Sequence, residues 1–272
     1  MAIPLVVGID GSEPSLEAVD WAADEAVRHS VPLHLVHAAA GDREPSDVIS
    51  AASKRARERA PTVQLSSEVL HEDAAAALVD KGRNAFALVL GSRGLGDLAE
   101  MLLGAVTLAV AARADCPVVV VRGAAEHHDG RLGNIVVCVE EGEGSDTALQ
   151  FASLEAHVRS CRPRAVHAWN PSSRALTTRP APSWYAMEAH RRPPSQVLDD
   201  ALRGLAERYR DARVSSRVIE GPARRALLDA TSEADLLVVG ARRRHGHPGL
   251  INHALLHHAP CPVAVVPQIG PT

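Results

Sequence analysis

The segment VLGSRGLGDLAEMLLGAVTLAVAARADCPVVVVR, from Val89 to Arg122, recurs in altered form as VVGARRRHGHPGLINHALLHHAPCPVAVVP, from Val238 to Pro267. Each version opens on an apolar strand pattern that ends in glycine, continues through a loop into a helical pattern, and closes on Cys-Pro-Val. An internal repeat of this length indicates that one supersecondary plan is used twice. The chain is therefore predicted to consist of two tandem domains.

The first two strands of each copy repeat in the same order. Asp10 aligns with Glu140 after the first strand, and Val36-His37-Ala38 aligns with Val166-His167-Ala168 at the second. Strand patterns alternate with helical patterns through both copies, which is typical of parallel, doubly wound sheets.

We therefore predict an α/β, Rossmann-like fold with two tandem five-stranded parallel sheets and helices on both faces of each. The first domain spans residues 1–122 and the second spans residues 134–267, with a polar linker between them. Each copy ends on a continuous apolar strand, at 117–121 and at 262–266. Pairing these two strands would remove both bare edges, so we expect an internal pseudo-dimer through the last strands.

Composition limits the classes of partner and the cellular location. The 272 residues suffice for two hydrophobic cores, and the formal net charge of −4 gives no reason to expect nucleic acid or a membrane surface as a partner. The four cysteines show no Cys-x-x-Cys spacing, which predicts buried free thiols in a reducing compartment. The opening MAIPLVVGID lacks the basic and long apolar regions of a signal peptide, so a cytoplasmic location is expected.

A glycine-rich loop in the first copy has the features of a phosphate site. Gly91-Ser92-Arg93-Gly94 follows a strand, and Gly104-Ala105-Val106-Thr107 opens a helix. Unpaired amides at a helix start attract anions, and glycine allows a ligand to approach the backbone closely. Asp10, at the end of the first strand, would supply a hydrogen-bond acceptor beside the same crevice. Glycines after strands are also common as simple turns, and this alternative stays open on spacing alone.

Three motifs together carry a family resemblance. They are Gly91-x2-Gly94-x9-Gly104 followed by a small residue, Gly8-Ile9-Asp10-Gly11-Ser12 at the first strand, and the Cys-Pro-Val that opens each last strand. Apart from the insertion at 171–194, nearly the whole chain resembles the universal stress protein family in its tandem form. The first copy resembles the ATP-binding branch of that family.

The resemblance implies a set of ligand contacts in the first copy. In the ATP-binding branch the first-strand aspartate contacts adenine, a residue after the second strand packs on the base, and the glycine pattern wraps the phosphates and ribose. The matching positions here are Asp10, Ala38, Leu90, Gly91, Arg93, Gly94, Gly104, Ala105, Val106 and Thr107. The implied ligand is ATP, with or without Mg²⁺.

Both copies depart from the family pattern. Ala105 stands where the family has a hydroxyl residue, so one hydrogen bond to phosphate is missing, and we expect weaker binding in which the amides and the Thr107 hydroxyl remain. In the second copy Glu140 replaces the aspartate, Arg243 replaces the second glycine, and Leu250 follows the third. The loop between them is also shorter. We expect the second copy not to bind ATP in the family manner.

Other chemistries find weaker support in the sequence. No Gly-x4-Gly-Lys-[Ser/Thr] motif occurs, and no Gly-x-Ser-x-Gly elbow accompanies Ser12 or Ser92, which argues against a Walker ATPase and a serine hydrolase. The stretch from Gly94 to Ala99 matches a dinucleotide pattern but follows the fourth strand rather than the first. His253 and His257 have metal-ligand spacing on a helix, without a glutamate or cysteine partner, and a surface histidine helix is the preferred interpretation.

The leading functional hypothesis is a cytoplasmic stress-response regulator that binds ATP in its first domain and is not an enzyme. The bound nucleotide would alter affinity for a protein partner that the sequence does not identify. One alternative is a nucleotide-free interaction scaffold that uses the Pro171 to Pro194 insertion with Trp184 and Tyr185. Another is an enzyme of the nucleotide-α-hydrolase type. The resemblance also allows a further homodimer.

Overall fold

Helices and strands alternate along both copies in the computed structural model, which describes residues 2–38, 45–92, 103–122, 132–140, 145–170, 193–209, 213–241 and 250–268. The elements of the first copy are β1 (Leu5–Ile9), α1 (Glu13–His29), β2 (Leu33–Ala38), α2 (Pro45–Arg59), β3 (Leu65–Leu70), α3 (Ala74–Gly82), β4 (Ala87–Gly91), α4 (Ala105–Arg113) and β5 (Val118–Val121). Those of the second are β6 (Asn134–Cys138), α5 (Asp146–Val158), β7 (Arg162–Trp169), α6 (Pro194–Arg208), β8 (Ser215–Glu220), α7 (Ala223–Ala230), β9 (Leu236–Ala241), α8 (Leu250–His258) and β10 (Val263–Pro267).

The ten strands form one continuous sheet in the order β3-β2-β1-β4-β5-β10-β9-β6-β7-β8. Within each copy every pairing is parallel, and the pairing of β5 with β10 is antiparallel. The predicted α/β fold with two tandem, doubly wound units is confirmed. The predicted pairing of the last strands is also confirmed, and it merges the two five-stranded sheets into one.

The start of α1 is set by side-chain capping, whereas α4 starts where the sequence predicted, within Gly104-Ala105-Val106-Thr107. Helix α1 begins at Glu13, three residues before the first periodic leucine, because the Ser12 side chain caps it by accepting a hydrogen bond from the Ser15 amide. Helix α4 begins at Ala105, directly after Gly104 in the N-cap position. Apolar periodicity locates the buried face of a helix, whereas its ends are set by local hydrogen bonds.

Side chains alternate between two core layers on opposite faces of the sheet. Leu5, Val7 and Ile9 of β1 pack in the layer beneath α1 and α2, while Val6 belongs to the opposite layer with residues of α3 and α4. Strands buried on both faces in this way explain the near-continuous apolar runs in the sequence. Both layers extend from the first copy into the second.

Valines meet at the junction of the two domains. Val263 pairs with Val120, Ala264 with Val119, and Val265 with Val118. All of them are at most 1% exposed. Arg122, just after β5, donates a hydrogen bond to the carbonyl of Leu256 near the end of α8, where helix carbonyls lack intrahelical partners. The domains therefore share a buried junction.

A buried ionic cluster, made of Glu25 and His29 on α1 with Glu155 and Arg159 on α5, joins the domains on one face of the sheet. Glu25 aligns with Glu155 in the repeat, and His29 aligns with Arg159. Arg159 contacts both carboxylates, at 2.5 Å from Glu25 Oε1, and His29 Nε2 lies 3.0 Å from Glu155 Oε1. These four side chains are at most 5% exposed. The cluster thus brings equivalent helix positions of the two copies together.

The environment of this cluster moves the two carboxyl pKa values in opposite directions. Burial, reinforced by the charge of Glu155, raises the pKa of Glu25 to about 6, against the lowering effects of Arg159, Arg28 and His29. Burial also acts to raise the pKa of Glu155, but the hydrogen bond from His29 and the charge of Arg159 outweigh it, so that pKa is lowered.

The raised pKa of Glu25 predicts a loss of stability as pH increases. The folded state holds the Glu25 proton more tightly than the unfolded chain, so the stabilisation is complete below pH 4.5 and disappears as pH rises through about 6. Between those limits we expect wild type to lose up to about 2 kcal/mol relative to Glu25→Gln. Urea unfolding of both proteins from pH 4.5 to 7 checks this. Parallel pH profiles for the two proteins would contradict it.

The cysteines are free, and three of them, Cys116, Cys138 and Cys261, are buried as predicted. Burial raises the pKa of the Cys138 and Cys261 thiols to about 12, so these thiols stay protonated and unreactive near neutral pH. Across the described residues, no helix combines the length and apolar character needed to cross a membrane.

Candidate functional site

Asp10 lies at the carboxyl end of β1 and is held in a turn that leads into α1. Its Oδ1 accepts hydrogen bonds from the Ser12 amide at 2.9 Å and from the Ser12 hydroxyl at 2.6 Å. The Asp10 amide and the Ser15 hydroxyl are 3.4 Å apart. Gly11, in the turn between the end of β1 and the start of α1, has a φ of 80°. A half-buried carboxylate is therefore fixed at the edge of the sheet where parallel α/β folds bind ligands.

The strand register places Ala38 beside Asp10. Ile9 pairs with His37, so the residues that follow each of them are neighbours at the same edge. Leu90 of β4 is 4% exposed and packs in the α3 and α4 layer together with Val36. Ala38 is half-buried at the edge, whereas Leu90 forms part of the core beneath it.

Gly91 ends β4 directly against the start of α1. A Cβ atom at this position would lie 2.6 Å from the Pro14 carbonyl oxygen and 2.9 Å from the Ser15 nitrogen. Real Cβ atoms do not approach backbone this closely. The absence of a side chain at Gly91 is therefore required by packing, whether or not a ligand is bound, and it keeps Asp10 and β4 close together.

Helix α4 begins at the same edge without a side-chain cap. Its first intrahelical bond runs from the Leu108 amide to the Gly104 carbonyl, so the amides of Ala105, Val106 and Thr107 lie ahead of the helical ladder. Ala105 and Val106 are exposed. The Gly104 amide donates to the Ser92 carbonyl at 3.0 Å, which ties the helix start to the end of β4.

The role expected for Thr107 is corrected by the structure. Its hydroxyl is buried and donates to the Gly91 carbonyl at 3.0 Å, so its proton is already used within the fold. Thr107 links α4 to β4 and offers no hydroxyl donor to a phosphate. Two other predicted residues, Arg93 and Gly94, lie outside the described residues, as do Arg243 and most of the insertion at 171–194.

The second copy builds this edge differently. The Glu140 amide donates to the Ser145 hydroxyl at 3.1 Å, but Gly142 occupies the position that aligns with Ser12, so no hydroxyl is available there to hold the acid. Ser145 precedes α5 without capping it through its side chain. The serine bonds that orient Asp10 in the first copy therefore have no counterpart on Gly142.

Sequence reasoning assigned no structural role to three residues that shape this edge. Ser12 and Ser15 hold the turn after Asp10, and the Ser-x-x-Ser spacing before a helix was an available capping signal. His37 is buried, with Nδ1 2.8 Å from the Ile9 carbonyl, and His167 makes the same contact with Val139 at 2.8 Å. Because a carbonyl only accepts, Nδ1 carries the proton in both rings. The repeated Val-His-Ala was the signal for these residues.

Comparisons with known proteins agree with the repeat and the fold. The model of the universal stress protein family matches residues 1–122 and again residues 132–267. Universal stress protein Rv2005c of Mycobacterium tuberculosis is 30% identical over 290 residues, covering 97% of both chains. A universal stress protein of Mycolicibacterium smegmatis is 30% identical over 288 residues, covering 96% of both chains.

A solved structure shows the same fold over the full length. The crystal structure of a universal stress protein from Archaeoglobus fulgidus superposes with a TM-score of 0.70 at 15% identity, covering 99% of this chain and 100% of that one. At this level of identity the match concerns the fold alone.

Proposed function

This chain belongs to the universal stress protein family, and from that premise we propose that its first domain binds ATP while its second domain does not. Family membership supports a role in the stress response. The ligand, its location in one domain and its use as a signal are our proposals.

The proposal rests on one observation: groups suited to both ends of a nucleotide lie together at the carboxyl ends of the first-domain strands. The Asp10 carboxylate after β1, Ala38 at the end of β2 and the amides that precede the helical hydrogen bonds of α4 all lie at that edge. An acceptor beside a small residue suits the edge and face of adenine, and an uncapped helix start suits a phosphate. The first domain therefore offers complementary groups for both ends of an adenine nucleotide.

Ala105 sets the expected strength of binding. The hydroxyl that it lacks is one charge-assisted hydrogen bond, which contributes about 1.5 to 3 kcal/mol, or about tenfold or more in affinity. The Thr107 hydroxyl does not compensate, because it donates to Gly91. Affinity then rests on the α4 amides, and Mg²⁺ bound to the phosphates would add to it.

The proposed role is a binding switch. A nucleotide that fits one conformation of the edge better than another shifts the population toward it, and a partner that senses the difference is coupled to nucleotide level. We propose no catalytic residue: Asp10 is held by Ser12 as an acceptor, and the α4 amides stabilise charge without transferring protons.

Release of bound nucleotide from the purified protein tests this proposal. We expect ATP or ADP in the supernatant after denaturation of wild type, and none from Gly104→Val. Gly104 has φ −61° and ψ 141°, an extended conformation that valine adopts readily, so the variant should fold while its side chain covers the α4 amides.

Gly249→Val, at the aligned position of the second copy, is the matched control and should keep the nucleotide. Nucleotide retained by Gly104→Val but lost by Gly249→Val would place binding in the second domain. Absence of nucleotide from all three proteins, together with no binding on addition of ATP, would favour the scaffold alternative.

A further inference from the structure

Three groups that commonly bind metals meet at the domain junction, between α1 and α5. They are the carboxylates of Glu25 and Glu155 and the imidazole of His29, and one ligand atom from each lies within 4.8 Å of the others. His29 Nε2 is 3.0 Å from Glu155 Oε1 and 3.7 Å from Glu25 Oε2. Two helices from different domains thus supply one compact ligand set.

The neighbouring arginines occupy the other oxygens of these carboxylates. Arg159 and Arg28 contact Glu25 Oε1, and Arg159 contacts Glu155 Oε2. In the described part of the chain, no group hydrogen-bonds to Glu25 Oε2, although the Glu25 side chain is only 2% exposed. A buried carboxylate oxygen without a hydrogen bond is costly, and this one faces His29. The arginines orient the carboxylates as outer partners orient metal ligands.

We propose that Glu25, His29 and Glu155 bind a divalent transition-metal ion of the Zn²⁺ type, which connects α1 to α5. Ligand atoms around tetrahedral Zn²⁺ stand about 3.3 Å apart, because each bond is about 2.0 to 2.1 Å long. The two distances from His29 Nε2 bracket that value. One imidazole and two carboxylates form a nitrogen and oxygen ligand set that suits Zn²⁺.

A cleft lies close to the cluster. Phe86 lines a cleft of about 840 Å³, together with Ala156 and Ser160 at the end of α5, and the Phe86 ring lies 4.7 Å from the His29 ring. A water molecule would complete the fourth coordination position of a tetrahedral ion.

Charge balance sets the conditions for binding. The two carboxylates offset the charge of the ion, and His29 must release the proton on Nε2 and retain one on Nδ1. Arg159 remains positive, while Arg28 is 24% exposed and its charge is screened by water.

Zn²⁺ titration of the metal-stripped full chain, in competition with a chromophoric chelator, tests the proposal. We expect one ion per chain, a rise in the unfolding midpoint, and d–d absorption of a four-coordinate site when Co²⁺ replaces Zn²⁺. His29→Gln should weaken binding at least tenfold and abolish the rise. The matched control His34→Gln, which removes a partly exposed histidine paired with Glu68, should change neither result.

Other histidines must be separated from this cluster. His253 and His257, whose rings are 4.4 Å apart on α8, are the competing site. The double variant His253→Gln with His257→Gln should keep one ion and the rise in midpoint, and this result stands even if His29→Gln fails to fold. Loss of binding in that double variant, equal binding by His29→Gln, or no Zn²⁺ binding by wild type would each overturn the proposal.

Discussion

Val120→Lys is expected to destabilise the protein by about 3 to 5 kcal/mol, because it places an unpaired ammonium group in the shared junction of the two domains. Val120 is fully buried, pairs with Val263 of the second domain and with Leu90 of the first, and lies in a core layer that crosses from one to the other. Calorimetry should show the whole unfolding transition moving to lower temperature, because both domains lose the same junction.

Val218→Lys is the matched control. It introduces the same side chain on β8, at the outer edge of the sheet, where Val218 is 38% exposed. We expect a change within about 0.5 kcal/mol for this surface position. The shared junction would be contradicted if, in Val120→Lys, one domain unfolded at a lower temperature while the other unfolded at its wild-type temperature.

Gly91→Ala should cost about 1 to 3 kcal/mol, since its methyl group would meet backbone atoms rather than a flexible side chain. The Pro14 carbonyl and the Ser15 amide belong to the first turn of α1 and cannot move without displacing the Asp10 turn. We therefore expect lower stability together with weaker nucleotide binding. Urea unfolding and an ATP titration of the same preparation measure the two effects.

Gly204→Ala provides the control for the added methyl group. Gly204 lies within α6, and nothing stands within 4 Å of a Cβ atom built there. Alanine is preferred to glycine in a helix interior, so stability should rise by about 0.5 to 1 kcal/mol. A Gly91→Ala protein as stable as wild type would show that the approach of α1 to β4 is looser than described.

The repeat predicted much of the fold because strand and helix periodicities survive in each copy. Aligning Asp10 with Glu140 and the two Cys-Pro-Val segments predicted two α/β domains, and the bare apolar edges of the last strands predicted their pairing. The register of that pairing, Val263 opposite Val120, did not follow from the sequence, because a run of similar valines fits several registers equally well.

For the candidate site, residue types were enough to place Asp10 and the start of α4, whereas contacts that depend on packing did not follow from the sequence. Asp10 and the α4 amides were identified from glycine and aspartate positions. That Thr107 is buried against Gly91, and that Gly91 must lack a side chain because of Pro14, depends on how α1 and α4 approach β4. Local sequence patterns do not indicate how closely α1 and α4 pack against β4.

The ionic cluster was missed for a related reason. Glu25 and Glu155 lie on amphipathic helices, where a glutamate ordinarily faces water. They are buried because α1 and α5 meet across the junction, which brings equivalent positions of the repeat together. The alignment of Glu25 with Glu155 was visible in the sequence, but their proximity required the strand order of the whole sheet.

Calorimetric titration of the full chain with ATP and Mg²⁺, for wild type, Asp10→Ala and Glu140→Ala, tests the central claim most directly. Asp10 and Glu140 occupy aligned positions, so the two variants remove an acid from the same place in each copy. We predict one ATP per chain, at least tenfold weaker binding by Asp10→Ala, and unchanged binding by Glu140→Ala. No heat from wild type at millimolar ATP, or binding lost in Glu140→Ala and kept in Asp10→Ala, would contradict the account.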